Sequence, residues 1–236
     1  MAETITVASL LPLADLAALL WFILGWGGYL AYTGQSSPRR PSMLNAMDQW
    51  REAWALSLTK RSNRIMDSQV INGLVRKETF FASTTILILA SSVALIGAVD
   101  RVNQLTVDIP FVQHTTPALW GLKVTVLALT FVYAFFKFSW SIRQHSYSAI
   151  LLGSIPEPDC DAQDKVKDHA LRLARLSSLG AKHFNDGIRA YYFALAELSW
   201  FINPLIFIVA TTWVVIVLYR REFHSKALSL LSTPQE

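Results

Sequence analysis

"RIMDSQVINGLVRKETFFASTTILILASSVALIGAVD", residues 64–100, contains no proline and only two glycines, Gly73 and Gly97. It opens as a charged, amphipathic segment and closes as an apolar run of the length a bilayer requires, about twenty residues. With nothing to break the backbone between the two parts, the stretch predicts one helix that leaves the membrane and keeps going. Its amphipathic face is then held at a fixed place beside the bilayer.

Composition extends that reading to the whole chain. Of 236 residues, 53% are hydrophobic and 16% are charged, against roughly 25% charged in an average soluble domain. Four stretches approach the ~20 residues needed to cross a ~30 Å hydrocarbon core: Leu10–Tyr32, Phe80–Ala98, Pro117–Trp140 and Leu198–Tyr219. None alternates with period two, so helices are expected rather than barrel strands. The expectation is an all-α, polytopic membrane protein with four transmembrane helices, forming a single integral membrane domain over residues 1–236. A cleaved signal peptide is the competing reading of the first stretch. Met1–Leu10 carries Glu3 and no basic residue, however, and no small-residue cleavage site follows promptly, so a retained span is expected.

Charge is distributed unevenly. Residues 33–79 carry eight Lys/Arg (Arg39, Arg40, Arg51, Lys60, Arg61, Arg64, Arg76, Lys77), and residues 141–189 carry seven (Arg143, Lys165, Lys167, Arg172, Arg175, Lys182, Arg189). The connection between spans two and three has only Arg101. By the positive-inside rule both long segments are cytoplasmic and both termini lie outside, with Arg220, Arg221 and Lys226 in the tail arguing the other way.

The two cytoplasmic segments, about 42–79 and 161–197, have helical periodicity. In the first, Met47, Trp50, Trp54 and Leu58, then Ile65, Val70 and Leu74, recur near helical spacing, and Ser42 is placed to cap. In the second, Asp161 is a candidate cap. Val166, Ala170, Leu173, Ala181, Phe184 and Ile188 then form one stripe and Lys165, Asp168, Arg172, Arg175, Lys182, Asp186 and Arg189 another, with Asp168/Arg172 and Lys182/Asp186 at i,i+4. The two segments either pack their apolar stripes together or lie separately on the membrane surface.

The motifs "DQWREAW", "NRIMDSQVINGL", "FFASTTILIL" and "FNDGIRAYYFALAELSWFINP", followed by "LYRREFHS", resemble the bacterial membrane-protein family designated domain of unknown function 599. The resemblance covers nearly the whole chain and implies a bacterial inner-membrane protein. It brings no established activity, so it carries over no functional residue.

Ionisable residues within spans are the default functional candidates, because an unpaired one costs about 2.5–3.5 kcal/mol or more. Spans one and three both enter from outside. Asp15 and Lys123 sit at nearly the same depth, about five residues or roughly 8 Å below the surface for Asp15. Near the inner side Lys137 and Glu197 also match, which predicts the pairs Asp15/Lys123 and Glu197/Lys137. A weaker candidate is a metal site from Glu78, His145, His183 and Asp186, although none of the five histidines (the fifth set completed by His114, His169 and His224) forms an H-x3-H or E-x-x-H pattern. Cys160 stands alone, which excludes an intramolecular disulfide. No nucleotide-binding or nucleophile-elbow motif occurs; neither a cofactor, a catalytic residue nor a nucleic-acid partner is expected. The residues support a non-enzymatic accessory or scaffold subunit that presents a basic amphipathic layer to a protein partner or to anionic lipid in the bilayer, with self-association open. The alternatives are a small oligomeric transporter using the two charge pairs and, third, a membrane metalloprotein.

Overall fold

The computed structural model describes residues 12–34, 42–98, 100–101, 104, 115–156 and 163–231. Arg39, Arg40, His114, Cys160 and the expected cap Asp161 lie outside the described residues. Helix accounts for 91% of the structure, with no strand among the described residues, so the fold is all-α. In chain order the helices are α1 (Leu13–Gly34), α2 (Met43–Leu58), α3 (Ile65–Ile96), α4 (Pro117–Ser154), α5 (Gln163–Leu198), a 3-10 turn (Ser199–Phe201), α6 (Pro204–Phe223) and α7 (Lys226–Leu231). Among the described residues four segments are long and apolar enough to cross a membrane: Leu13–Gly34, Ile65–Ile96, Pro117–Ser154 and Pro204–Leu231.

Local chemistry explains where these helices start. The Ser42 side chain accepts from the Asn45 N–H at 3.2 Å, and the Asn63 side-chain Oδ1 accepts from Ile65 N–H at 3.0 Å. Pro117 and Pro204 each stand at a first helical position, where a missing N–H costs nothing. They follow Thr116, whose hydroxyl accepts from Leu119 N–H at 3.3 Å, and Asn203, whose side chain accepts from Leu205 N–H at 2.8 Å. Each cap fills one of the donors that a helix start leaves without an intrahelical partner.

The described residues cluster into two compact units. The first draws on Met1–Ser36, Thr85–Tyr133 and Arg189–Tyr219, and the second on Ser37–Thr84, Ala134–Ile188 and Arg220–Glu236.

In the first unit α1 and α6 run parallel. Phe22 meets Phe207 with ring centroids 5.3 Å apart, and Tyr32 meets Tyr219 at 6.0 Å. The Trp21 indole donates to the Thr212 hydroxyl at 3.0 Å. The end of α5 runs the other way: Arg189 lies over the Tyr29 ring at 5.4 Å, Trp26 stacks on Phe193 at 5.4 Å, and Trp200 reaches Asp15. Thus residues 189–200 climb beside α1, the 3-10 turn reverses the chain, and α6 descends. The expected fourth span, Leu198–Tyr219, thus contains a reversal near its start. The apolar run hid a reversal at Ser199–Asn203, where the Ser199 carbonyl accepts from both Ile202 and Asn203 N–H at 3.1 Å. The C-terminal tail therefore leaves this unit at the end where α1 finishes.

The second unit holds α2 and most of α5 against parts of α3 and α4. Ala55, Leu58, Ile71, Leu152, Ile155, Val166, Ala170, Leu173 and Ala174 form one buried core, so the two basic segments share an apolar interior. The Trp54 indole and the Arg61 guanidinium both donate to Asp67 Oδ1, at 2.8 and 2.9 Å. α7 packs on α2: the Trp50 indole donates to the Leu231 carbonyl at 3.1 Å, and Glu222 accepts from Leu44 N–H at 3.4 Å. The tail accordingly lies with the first basic segment.

Candidate functional site

Three side chains close around one another in the first unit. Asp15 lies in the first turn of α1, Lys123 in the second turn of α4, and Trp200 in the 3-10 turn between α5 and α6. The Trp200 indole donates to Asp15 Oδ1 at 2.7 Å, Lys123 Nζ donates to the Trp200 carbonyl at 2.8 Å, and Lys123 Nζ stands 3.4 Å from Asp15 Oδ1. All three are buried, at 1%, 2% and 1% exposure. The Lys123 ammonium also sits 5.5 Å from the centre of the Trp200 ring, an attractive arrangement for a desolvated cation. In a medium of low dielectric such a pair is held strongly but is not free to exchange partners. The arrangement ties together α1, α4 and the reversal before α6, which is chemistry suited to fixing helix register.

The two residues of the second expected pair each have another partner. Glu197 Oε1 accepts from the Thr130 hydroxyl at 2.6 Å, and Lys137 donates to Asp186 Oδ2 at 3.0 Å. Antiparallel packing of α4 on α5 accounts for both. In the second unit Phe138 lies against Gly187 and His145 against Gly180, a step of seven on each helix, and this register puts Lys137 level with Asp186. In the first unit Phe131 meets Tyr191 at 5.2 Å, and the register puts Glu197 level with Thr130. Residues 189–200 already run beside α1, so Glu197 lies inside the first unit's helix bundle.

His145 Nδ1 is 2.9 Å from Glu78 Oε1, both fully buried, whereas His183 and Asp186 lie near Lys137. Among the described residues no group of three His, Cys, Asp or Glu is placed to hold a metal ion. Burial lowers the His183 pKa, as do the nearby Lys137 and Lys182 charges, against the opposing pull of Asp186. That environment favours the neutral imidazole.

Trp200 and Asp186 were missed as partners. Trp200 falls in the apolar run that sequence reading assigned to the fourth span, and Asp186 was matched to Lys182 on its own helix. A buried indole one turn after an intramembrane carboxylate, just before Asn203–Pro204, was the available signal.

Comparison with family models matches residues 17–227 to a protein family of unknown function, DUF599. The chain belongs to the DUF599 family. Searches of the curated proteins and of the solved structures returned no match. The matched span of this DUF599 member takes in Lys123, Lys137, Glu197 and Trp200 and begins two residues after Asp15.

Proposed function

We propose that this DUF599 protein is a non-enzymatic accessory or scaffold subunit of the bacterial inner membrane, presenting a basic helical layer to a protein partner on the cytoplasmic side. The observation that carries the reading is the second unit's shared core. Because α2 and α5 bury their apolar stripes together, Lys165, Lys167, Arg172, Arg175 and Lys182 are left exposed on a rigid framework. Five cations against Asp164 and Asp168 on the same exposed row make a surface suited to an acidic partner. The orientation rests on the positive-inside rule, which is supported further by the tail: Arg220, Arg221 and Lys226 join the basic side. The closed Asp15–Lys123–Trp200 cluster speaks for a structural use of the intramembrane charges.

Native mass spectrometry of the chain extracted gently from its own membrane tests this, comparing wild type with Lys165→Glu/Arg172→Glu/Arg175→Glu. The expected result is a stoichiometric second protein that is lost in the variant. A bare chain or homo-oligomer in both samples would overturn the proposal. Anionic lipid retained by wild type alone would move the reading to the membrane surface.

A further inference from the structure

Glu197 is 1% exposed, yet among the described residues no lysine, arginine or histidine stands within ion-pairing distance of it. The charged groups of the elements around it are occupied elsewhere. On α4, Lys123 is held by Asp15 and the Trp200 carbonyl; on α5, Arg189 lies over Tyr29 with Thr33 as a further contact at 3.4 Å; and α1 contributes Asp15, itself bonded. The parts of α3 and α6 in this unit, residues 85–96 and 204–219, contain no Asp, Glu, Lys, Arg or His, and their one ionisable side chain, Tyr219, meets Tyr32 at 6.0 Å. Thr130 lies about 13 residues, roughly 20 Å, into the span that begins at Pro117. The flanking Leu127, Phe131 and Ala194 are buried together. The carboxyl group has one hydrogen bond, from Thr130 to Oε1, and its second oxygen, Oε2, is buried without a partner.

A carboxylate offers about four acceptor sites, and one donor leaves most of its charge unsolvated. An isolated anion in such surroundings costs far more than the neutral acid, and a group so placed takes up a proton instead. The Thr130 hydroxyl serves either state, donating to a carboxylate or to the carbonyl oxygen of the acid. We propose that Glu197 is a proton-binding site within the bilayer, a carboxylic acid protonated at neutral pH whose proton sits on Oε2. The assignment is independent of the accessory reading, because it rests on the first unit alone.

A hydrophobic carbodiimide probes this state. The acid proton passes to a carbodiimide nitrogen while the carboxyl oxygen bonds the central carbon, and acyl migration to nitrogen then leaves a stable N-acylurea that retains every atom of both reactants. The full chain in liposomes is treated with dicyclohexylcarbodiimide or with a water-soluble carbodiimide and read by peptide mass spectrometry. The expected adduct is on Glu197, is severalfold greater with the hydrophobic reagent, and declines as pH is raised into the alkaline range. Infrared spectroscopy covers the case in which the reagent cannot reach the site. The carbonyl stretch of a protonated acid is expected in wild type, absent in Glu197→Gln, and persistent to higher pH in Thr130→Val, since the lost hydrogen bond favoured the anion. Neither an adduct nor a protonated-acid band from Glu197 at neutral pH, or a band unchanged in Glu197→Gln, would overturn the proposal.

Discussion

At the scale of single residues, the Asp15–Lys123–Trp200 cluster sets the terms. Removing one member of a buried ion pair strands the other, at about 3–5 kcal/mol, whereas replacing both by neutral groups of similar volume is often neutral. Asp15→Asn alone and Lys123→Met alone should therefore each lower the unfolding midpoint in detergent, and the double variant should recover most of the loss. Strictly additive losses in that double-mutant cycle would show that the 3.4 Å contact couples the two groups weakly. Asp15 and Lys123 could be matched from sequence because each is a lone charge near the start of an apolar helix, at a depth that counting along a straight helix estimates well. Glu197 could not, since its depth depends on a chain reversal that apolar composition conceals.

At the scale of helices, α4 and α5 approach closely at two glycines one heptad apart. A Cβ on Gly180 would stand 2.7 Å from His145 Cε1, and one on Gly187 would stand 2.5 Å from Phe138 Cε1. Both rings are buried, and Phe138 is further clasped by Phe81 and Phe184 at 5.5 and 5.6 Å. Alanine normally gains about 1 kcal/mol over glycine within a helix, but overpacking a core costs about 1–3 kcal/mol. Gly180→Ala and Gly187→Ala should lower the thermal midpoint, while Gly73→Ala on α3, where nothing lies within 4 Å, should hold or raise it. Equal responses at all three positions would refute the close approach. The sequence spaces these glycines seven residues apart, but what faces them is set by the antiparallel register with α4.

At the scale of the whole molecule, the parallel run of α1 and α6 and the contact of α7 with α2 put the tail beside the first basic segment. Single cysteines at Glu52 and Lys226, both exposed, in a background lacking Cys160, should react with a membrane-impermeant maleimide from the same side of sealed vesicles. Labelling from opposite sides would be incompatible with this arrangement. The basic residues of the tail, which argue from sequence against a C-terminus outside, stand beside the first basic segment through the contact of α7 with α2.

What the sequence determined by itself was the all-α class, with four helices of membrane-crossing length, and the start of α2 at its Ser42 cap. These follow from apolar run length, from periodicity and from side chains that bond to their own neighbours in the chain. Only the tertiary structure decided that residues 189–200 climb before α6 descends, that Trp200 joins Asp15 and Lys123, that Lys137 takes Asp186, and that Glu197 is left with Thr130 alone. Each of these depends on which helix lies opposite and in what register. That is a matter of packing between residues distant in the chain, and hydropathy, summed along one strand of sequence, carries no term for it.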